Sequence, residues 1–264
     1  MRVPGGTITT FDVPGSFITQ ALSINHEGAV TGSYSVPSGG QGGYVRDPEG
    51  NFATFDFPAS PTTPRSINAH GAVTGSYNFG GHGFVRRADR TLISFDPPGS
   101  VNTQPVSINA KGAITGTYQE TNLRVHGFVR RPGGEIVSFD PPESTGTIVL
   151  GINNAGAITG HYTAASGRTF GFVRDPEGKF TSFDPFLDTL PTTNINNEGA
   201  IAGTKTVLSG FVRSPNGTIT LFTPPFCQGL PFQPTSINDE GVITGSCTAA
   251  TPPFPHTVGW VRYP

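Results

Sequence analysis

The amino-acid sequence predicts an all-β fold, a six-bladed β-propeller of four-stranded antiparallel blades, and three observations carry that reading. The stretch Ser107–Tyr118, SINAKGAITGTY, recurs six times, anchored on Asn25, Asn68, Asn109, Asn153, Asn196 and Asn238 at intervals of 43, 41, 44, 43 and 42. A fixed period of this size marks a repeat architecture, and about 40–45 residues is the length of a four-stranded blade. A second hairpin follows the first five copies, as in GYVRDPEGNFATFD from Gly43 and GFVRDPEGKFTSFD from Gly171. The chain ends complement one another: the sequence opens MRVPGGTITTFD and finishes GWVRYP. Met1–Asp12 therefore reads as the second half of a hairpin begun by Gly259–Arg262. The N-terminal strand Thr7–Asp12 is expected to pair with the C-terminal strands as the outermost strand of blade six, closing the ring without a free edge. An open solenoid would need capping repeats, and none is visible. A single domain, residues 1–264, follows.

Within each unit the first strand runs into Asn-x-x-Gly, the preferences of a type I turn at its first and fourth positions. The Asn side chain is expected to accept a backbone N–H two residues on. The second strand follows, as in Ala-Val-Thr-Gly-Ser-Tyr, with a Gly where backbones approach closely. Asp-Pro-Glu-Gly and Pro-Gly-Gly turns then join the third and fourth strands. This order puts all short, repetitive hairpin turns on one face. The variable loops, among them Ser35–Gln41, Gln119–Val125 and Thr248–Pro255, fall on the other. Variable loops on a rigid scaffold are where function is normally carried.

Composition narrows the function classes. Charged residues are 13% of the chain and the net charge is -2, which argues against nucleic acid. No stretch approaches 18 consecutive apolar residues, so no membrane span is expected. Gly and Pro are abundant, 36 and 25, but fall at fixed repeat positions as turn punctuation. Met1 is followed at once by repeat sequence, so the chain is read as the mature part of an exported precursor whose leader is absent. The expected state is an extracellular or periplasmic monomer.

The His-Gly-Phe of His82–Phe84 and His126–Phe128, with the upstream SIN-x-x-G-x-ITG, resembles the HAF family of extracellular repeats, named for a His-Ala-Phe at this place. The resemblance spans essentially the whole chain. Gly replaces Ala in every copy, and the His slot is Gly42, Phe170, Ser209 and Val258 in the other units. The resemblance implies an exported β-rich repeat protein and brings no catalytic residues.

Residues common to the units read as scaffold. The recurrent Arg46, Arg86, Arg130, Arg174, Arg213 and Arg262 are expected to tie neighbouring blades together. The recurrent Asp12, Asp56, Asp96, Asp140 and Asp184 precede Pro-rich loops and read as Asx turn initiators. His82 and His126 face Asp96 and Asp140 across a hairpin. This is the orienting half of a triad, but no Gly-x-Ser-x-Gly elbow supplies a nucleophile. Hydrogen-bonded structural histidines are the expectation.

Departures from the repeat point to a site. The second strand ends in Tyr34, Tyr77, Tyr118 and Tyr162, then Lys205, then Cys247. A lysine desolvated among tyrosines can act as base or nucleophile. His161 replaces a Ser or Thr, Asn194 replaces the Ser of the first strand, and Arg65 stands where Leu22, Val106 and Leu150 stand. Lys205, His161 and Arg65 are therefore the candidate catalytic residues, and Asn194 and Tyr162 the candidate ligand-binding ones. No Cys/His spacing fits zinc, and no EF-type loop fits calcium. The cofactor is unknown; a calcium ion held on the propeller axis by scattered Asn and Asp is the one left open. The function expected is a hydrolase with one asymmetric axial pocket, acting on a small ester, lactone or phosphoester. The alternative is an extracellular module that binds a glycan or a protein without catalysis. No aromatic recurs regularly in the loops, where Phe17, Phe79, Phe186 and Phe232 are scattered, and this favours one pocket.

The two cysteines are expected to form a disulfide. Cys247 ends the second strand of blade six, and Cys227 lies in the loop leading into that blade, so both reach one end of it.

Overall fold

The computed structural model describes residues 9–58, 60–184, 193–206, 208–227, 231–249 and 256–264. Blade one comprises β1 (Ile18–Ile24), β2 (Val30–Ser35), β3 (Gln41–Arg46) and β4 (Phe52–Phe55). Blade two comprises β5 (Thr62–Ile67), β6 (Val73–Tyr77), β7 (His82–Arg86) and β8 (Leu92–Phe95). Blade three comprises β9 (Ser100–Ile108), β10 (Ile114–Glu120), β11 (Val125–Arg130) and β12 (Ile136–Phe139). Blade four comprises β13 (Ser144–Ile152), β14 (Ile158–Ala164), β15 (Thr169–Arg174) and β16 (Phe180–Phe183). Blade five comprises β17 (Thr193–Ile195), β18 (Ile201–Thr206), β19 (Ser209–Arg213) and β20 (Ile219–Phe222). A 3₁₀ turn at Pro225–Cys227 leads to blade six, β21 (Phe232–Ile237), β22 (Ile243–Ala249) and β23 (His256–Arg262). Each sheet is an antiparallel meander, and the fold is the expected six-bladed β-propeller. Blade six has three strands among the described residues. The expected fourth, Thr7–Asp12, begins in residues 1–8, which lie outside them, and Thr9–Asp12 carry no strand assignment.

The chain clusters into two compact units, Met1–Asp96 with Asn102–Pro105, and Pro97–Val101 with Val106–Pro264. One asparagine per repeat organises both. In the smaller unit Asn25 Oδ1 accepts the Ala29 N–H at 2.8 Å, and Nδ2 donates to the Asn68 carbonyl of the next blade at 3.1 Å. In the larger unit Asn109 donates to the Asn153 carbonyl, Asn153 to that of Asn196, and Asn196 to that of Asn238, at 3.1, 3.1 and 2.9 Å. Each also closes its own turn, accepting from Ala113, Ala157 and Ala200. The turn-closing bond thus reaches four residues on; the expected bond two residues on occurs at His70. The turn glycines have positive φ, 89° at Gly28 and 97° at Gly156, where a Cβ would be strained.

The second-strand glycine has a separate cause. The first strand is bulged between Ala21 and Ser23, Pro64 and Ser66, Val149 and Gly151, and Pro234 and Ser236. The bulge pushes a carbonyl at its neighbour: a Cβ on Gly160 would lie 2.1 Å from the Ile148 oxygen and 2.8 Å from the Phe172 ring. That ring is one of the fully buried third-strand aromatics Tyr44, Phe84, Phe128, Phe172 and Phe211. The threonine before the glycine is equally buried, and its hydroxyl donates to the carbonyl of that aromatic, at 2.7 Å for Thr31 and 3.0 Å for Thr159.

Four of the recurrent arginines tie their blade to the preceding one, as expected, but through a phenylalanine ring rather than loop carbonyls or carboxylates. Arg86 lies 5.2 Å from the centre of the Phe55 ring in the preceding blade. Arg174 stands over Phe139 at 4.9 Å, Arg213 over Phe183 at 5.1 Å and Arg262 over Phe222 at 5.2 Å. Burial pulls the Arg86, Arg174 and Arg213 guanidinium groups below their ordinary pKa. A desolvated cation on a ring face is worth on the order of 2 kcal/mol.

Cys227 and Cys247 form the expected disulfide, with Cα atoms 6.0 Å apart, in the apolar cluster of blade six with Phe232 and Trp260. The bridge spans a sequence separation of 20. Reduction, or Cys227→Ser with Cys247→Ser, should cost about 3 kcal/mol in guanidinium unfolding. Free thiols in the oxidised, denatured protein would contradict the bridge. Asn153→Ala removes the closure of one turn and the bond to the next blade together and should cost about 2–4 kcal/mol. Asn154→Ala, which removes one exposed acceptor of the Ala110 N–H, should cost roughly 1 kcal/mol or less.

Candidate functional site

The residues that break the repeat are placed by strand parity. On β14, Tyr162 joins the buried cluster that faces blade three with Phe139 and Phe172, so His161 turns to the other side, toward blade five. On β18, Ile201 belongs to the cluster shared with Phe183 of blade four, and Lys205 follows four residues on, at a register shift that interrupts the alternation. His161 therefore faces the junction between blades four and five of the larger unit, and Lys205 lies on the blade-five strand β18. Gly171, directly across from His161, makes room on that face: a Cβ there would lie 2.5 Å from the Phe183 ring.

His161 is 7% exposed, and its Nδ1 is sealed from solvent without a hydrogen-bond partner among the described residues. Burial pushes its pKa down to about 4. The imidazole is therefore neutral near pH 7, able to accept a proton at one nitrogen and donate at the other. Lys205 is half-buried and sits where the β18–β19 register shifts between Thr204 and Thr206. The shift re-aims its backbone relative to the paired strand.

Asn194 is explained by its neighbour. In blade one the corresponding Ser23 Oγ accepts the Ile67 N–H of the next blade at 3.3 Å. Blade four has Gly151 in that slot and offers no hydroxyl. The orphaned Ile195 N–H is taken instead by Asn194 Oδ1 at 2.8 Å, and a Cβ on Gly151 would stand 3.1 Å from that oxygen. Tyr162 stacks on Phe170 and donates its hydroxyl to Ser182 Oγ at 3.0 Å. Arg65, in the smaller unit, is the unpaired residue of the β5 bulge and is exposed. His161 and Asn194 thus belong to one junction, Lys205 to the bulged end of β18, Tyr162 to the opposite side of β14, and Arg65 to the other unit.

The His–Asp pairs form in both blades that carry them. His82 Nδ1 lies 2.7 Å from Asp96 Oδ2 and His126 Nδ1 2.6 Å from Asp140 Oδ2, each imidazole stacked on the neighbouring tyrosine. The aspartates are not the expected Asx initiators: Asp140 Oδ1 accepts from Thr147 Oγ1 at 2.5 Å, and Asp96 Oδ1 from the Gly83 N–H at 3.3 Å. In blade four, where Phe170 replaces the histidine, Arg168 pairs with Asp184 instead. Around His126 stand Glu120, 3.7 Å from Nε2, and Arg124, 3.6 Å from Asp140. Sequence reasoning did not single out Glu120, Arg124 or Arg168. The available signal was a charged residue two positions before the His slot, at Arg124 and Arg168. Among the described residues no group of three or more His, Cys, Asp or Glu is placed to hold a metal, and no helix is long and apolar enough to cross a membrane.

No family model matches the chain, and no curated protein matches it. Solved structures do. A streptogramin B lyase superposes with a TM-score of 0.58 at 14% identity, covering 96% of each chain. A catalytically inactive histidine-to-alanine variant of virginiamycin B lyase from Staphylococcus aureus, with quinupristin, gives 0.59 at 13% identity over 93% of this chain and 84% of that one. A puromycin hydrolase gives 0.57 at 9% identity over 94% of this chain and 54% of that one. At these identities the likeness is one of fold.

His161 should make stability acid-sensitive. Its folded pKa is depressed, so between its ordinary value of 6.5 and about 4 the unfolded chain binds more protons than the folded one. Stability should then be full above pH 6.5 and fall by roughly 3 kcal/mol through that window as pH drops. Denaturant titrations of wild type and His161→Gln across that window check this: the variant should lose that share of the slope.

Proposed function

We propose that the protein is an exported hydrolase acting on a small ester or lactone at the junction of blades four and five, with His161 as general base and Lys205 stabilising developing negative charge. The observation that carries this reading is the buried, neutral imidazole of His161, whose Nδ1 has no partner among the described residues, at one of six otherwise equivalent positions held by Ser or Thr. A structural role would give that nitrogen a partner, because an unsatisfied buried polar group costs about 1–3 kcal/mol. With Nδ1 sealed by packing, proton transfer runs through Nε2: the imidazole takes a proton from water as the water attacks the carbonyl. The Lys205 ammonium, carried on β18 of blade five, supplies the cation that an oxyanion requires. The enzymes that share the fold, the streptogramin and virginiamycin B lyases and puromycin hydrolase, support such a use of it. The disulfide supports an oxidising compartment outside the cytoplasm.

Turnover of a panel of p-nitrophenyl esters and γ- and δ-lactones tests the reading. His161→Gln should lower kcat/KM by about 10²–10⁴-fold, and Lys205→Met by roughly tenfold or more, with the melting transition near neutrality preserved. The acid limb of the wild-type pH profile should fall near pH 4. No turnover across the panel, or variants as active as wild type, would refute it.

A further inference from the structure

The smaller unit carries an exposed aromatic whose backbone works against its own conformation. β6 and β7 are joined by Asn78–Gly81, closed by the Gly81 N–H donating to the Asn78 carbonyl at 3.0 Å. The two central residues, Phe79 and Gly80, have φ of 56° and 87°, and Asn78 before them is at 54°. A tight turn with both central φ values positive takes Asn, Asp or Gly, not a bulky side chain. Phe79 is strained there, and no packing repays the strain, because it is 87% exposed. Strain kept at an exposed aromatic is an observation that calls for a ligand.

Two amides stand beside Gly80 of the same turn. Asn102 and Gln104 lie two apart on β9 and share a face of that strand. A Cβ on Gly80 would be 3.5 Å from Gln104 Nε2 and 3.7 Å from Asn102 Nδ2. The Thr103 N–H between them donates to the Gly80 carbonyl at 3.0 Å and fixes the turn against the strand. Neither amide is engaged by a described residue. The turn thus presents an aromatic ring one residue from a glycine flanked by two planar donor–acceptor groups, a set that matches a pyranose, which has an apolar C–H face and hydroxyls around its rim.

We infer that Phe79, Asn102 and Gln104 form a saccharide-binding subsite for β-linked glucose or N-acetylglucosamine oligomers, the ring stacking on one pyranose and the amides bonding its hydroxyls. The subsite lies in the smaller unit and stands without the hydrolase reading.

Isothermal titration calorimetry of the whole chain with cellohexaose and with chitohexaose tests it. At least one should bind wild type and Phe79→Trp. Binding should be about tenfold or more weaker in Phe79→Gly and several-fold weaker in Asn102→Ala/Gln104→Ala. The glycine variant should at the same time melt about 2 °C higher, because it relieves the left-handed backbone. Binding of neither oligosaccharide, equal binding by wild type and Phe79→Gly, or a lower melting temperature in that variant would each overturn the subsite.

Discussion

The hydrogen bond from a turn asparagine to the carbonyl of the next, made by Asn25, Asn109, Asn153 and Asn196, is the constraint on which the rest depends. A hairpin turn is ordinarily a local matter, settled by a few residues. Here one side chain spends its oxygen inside its own turn and its nitrogen on the neighbour's backbone. The local fold of one repeat therefore fixes the position of the next. An asparagine is the side chain that can do both, since aspartate lacks the donor and serine the reach. The same economy appears at the threonine that bonds the carbonyl of the third-strand aromatic, and at the arginine that stands on the preceding blade's phenylalanine. With few charges and a thin core per blade, these directed contacts carry much of the registration between repeats.

Much of this was legible in the sequence, because a period and its turn chemistry are local signals. The Asn-x-x-Gly turns, the meander order and the scaffold role of Arg86 and Arg174 all follow from repetition. The partner of each group was less legible. The His–Asp pairs could be read across the hairpin, but the aspartates' other partners, Thr147 and Arg168, come from another blade or from a loop. No rule of spacing along the chain encodes such a distance.

The candidate site shows the same division. His161 and Lys205 stand out as departures from the repeat, and pleat parity then turns His161 toward blade five. Parity also separates it from Tyr162, one residue away yet facing the other way. Arg65 occupies a slot that the sequence shows as aliphatic in three units, but the bulge that exposes it arises from backbone register, which residue identity does not report.

Gly151 and Asn194 are two departures that explain each other. Restoring serine at 151 alone would drive a side chain against the Asn194 amide; restoring serine at 194 alone would leave the Ile195 N–H without an acceptor. The two positions are therefore coupled: the side chain allowed at one depends on which acceptor the other supplies to the Ile195 N–H, and the fourth and fifth repeats are not interchangeable modules at this strand.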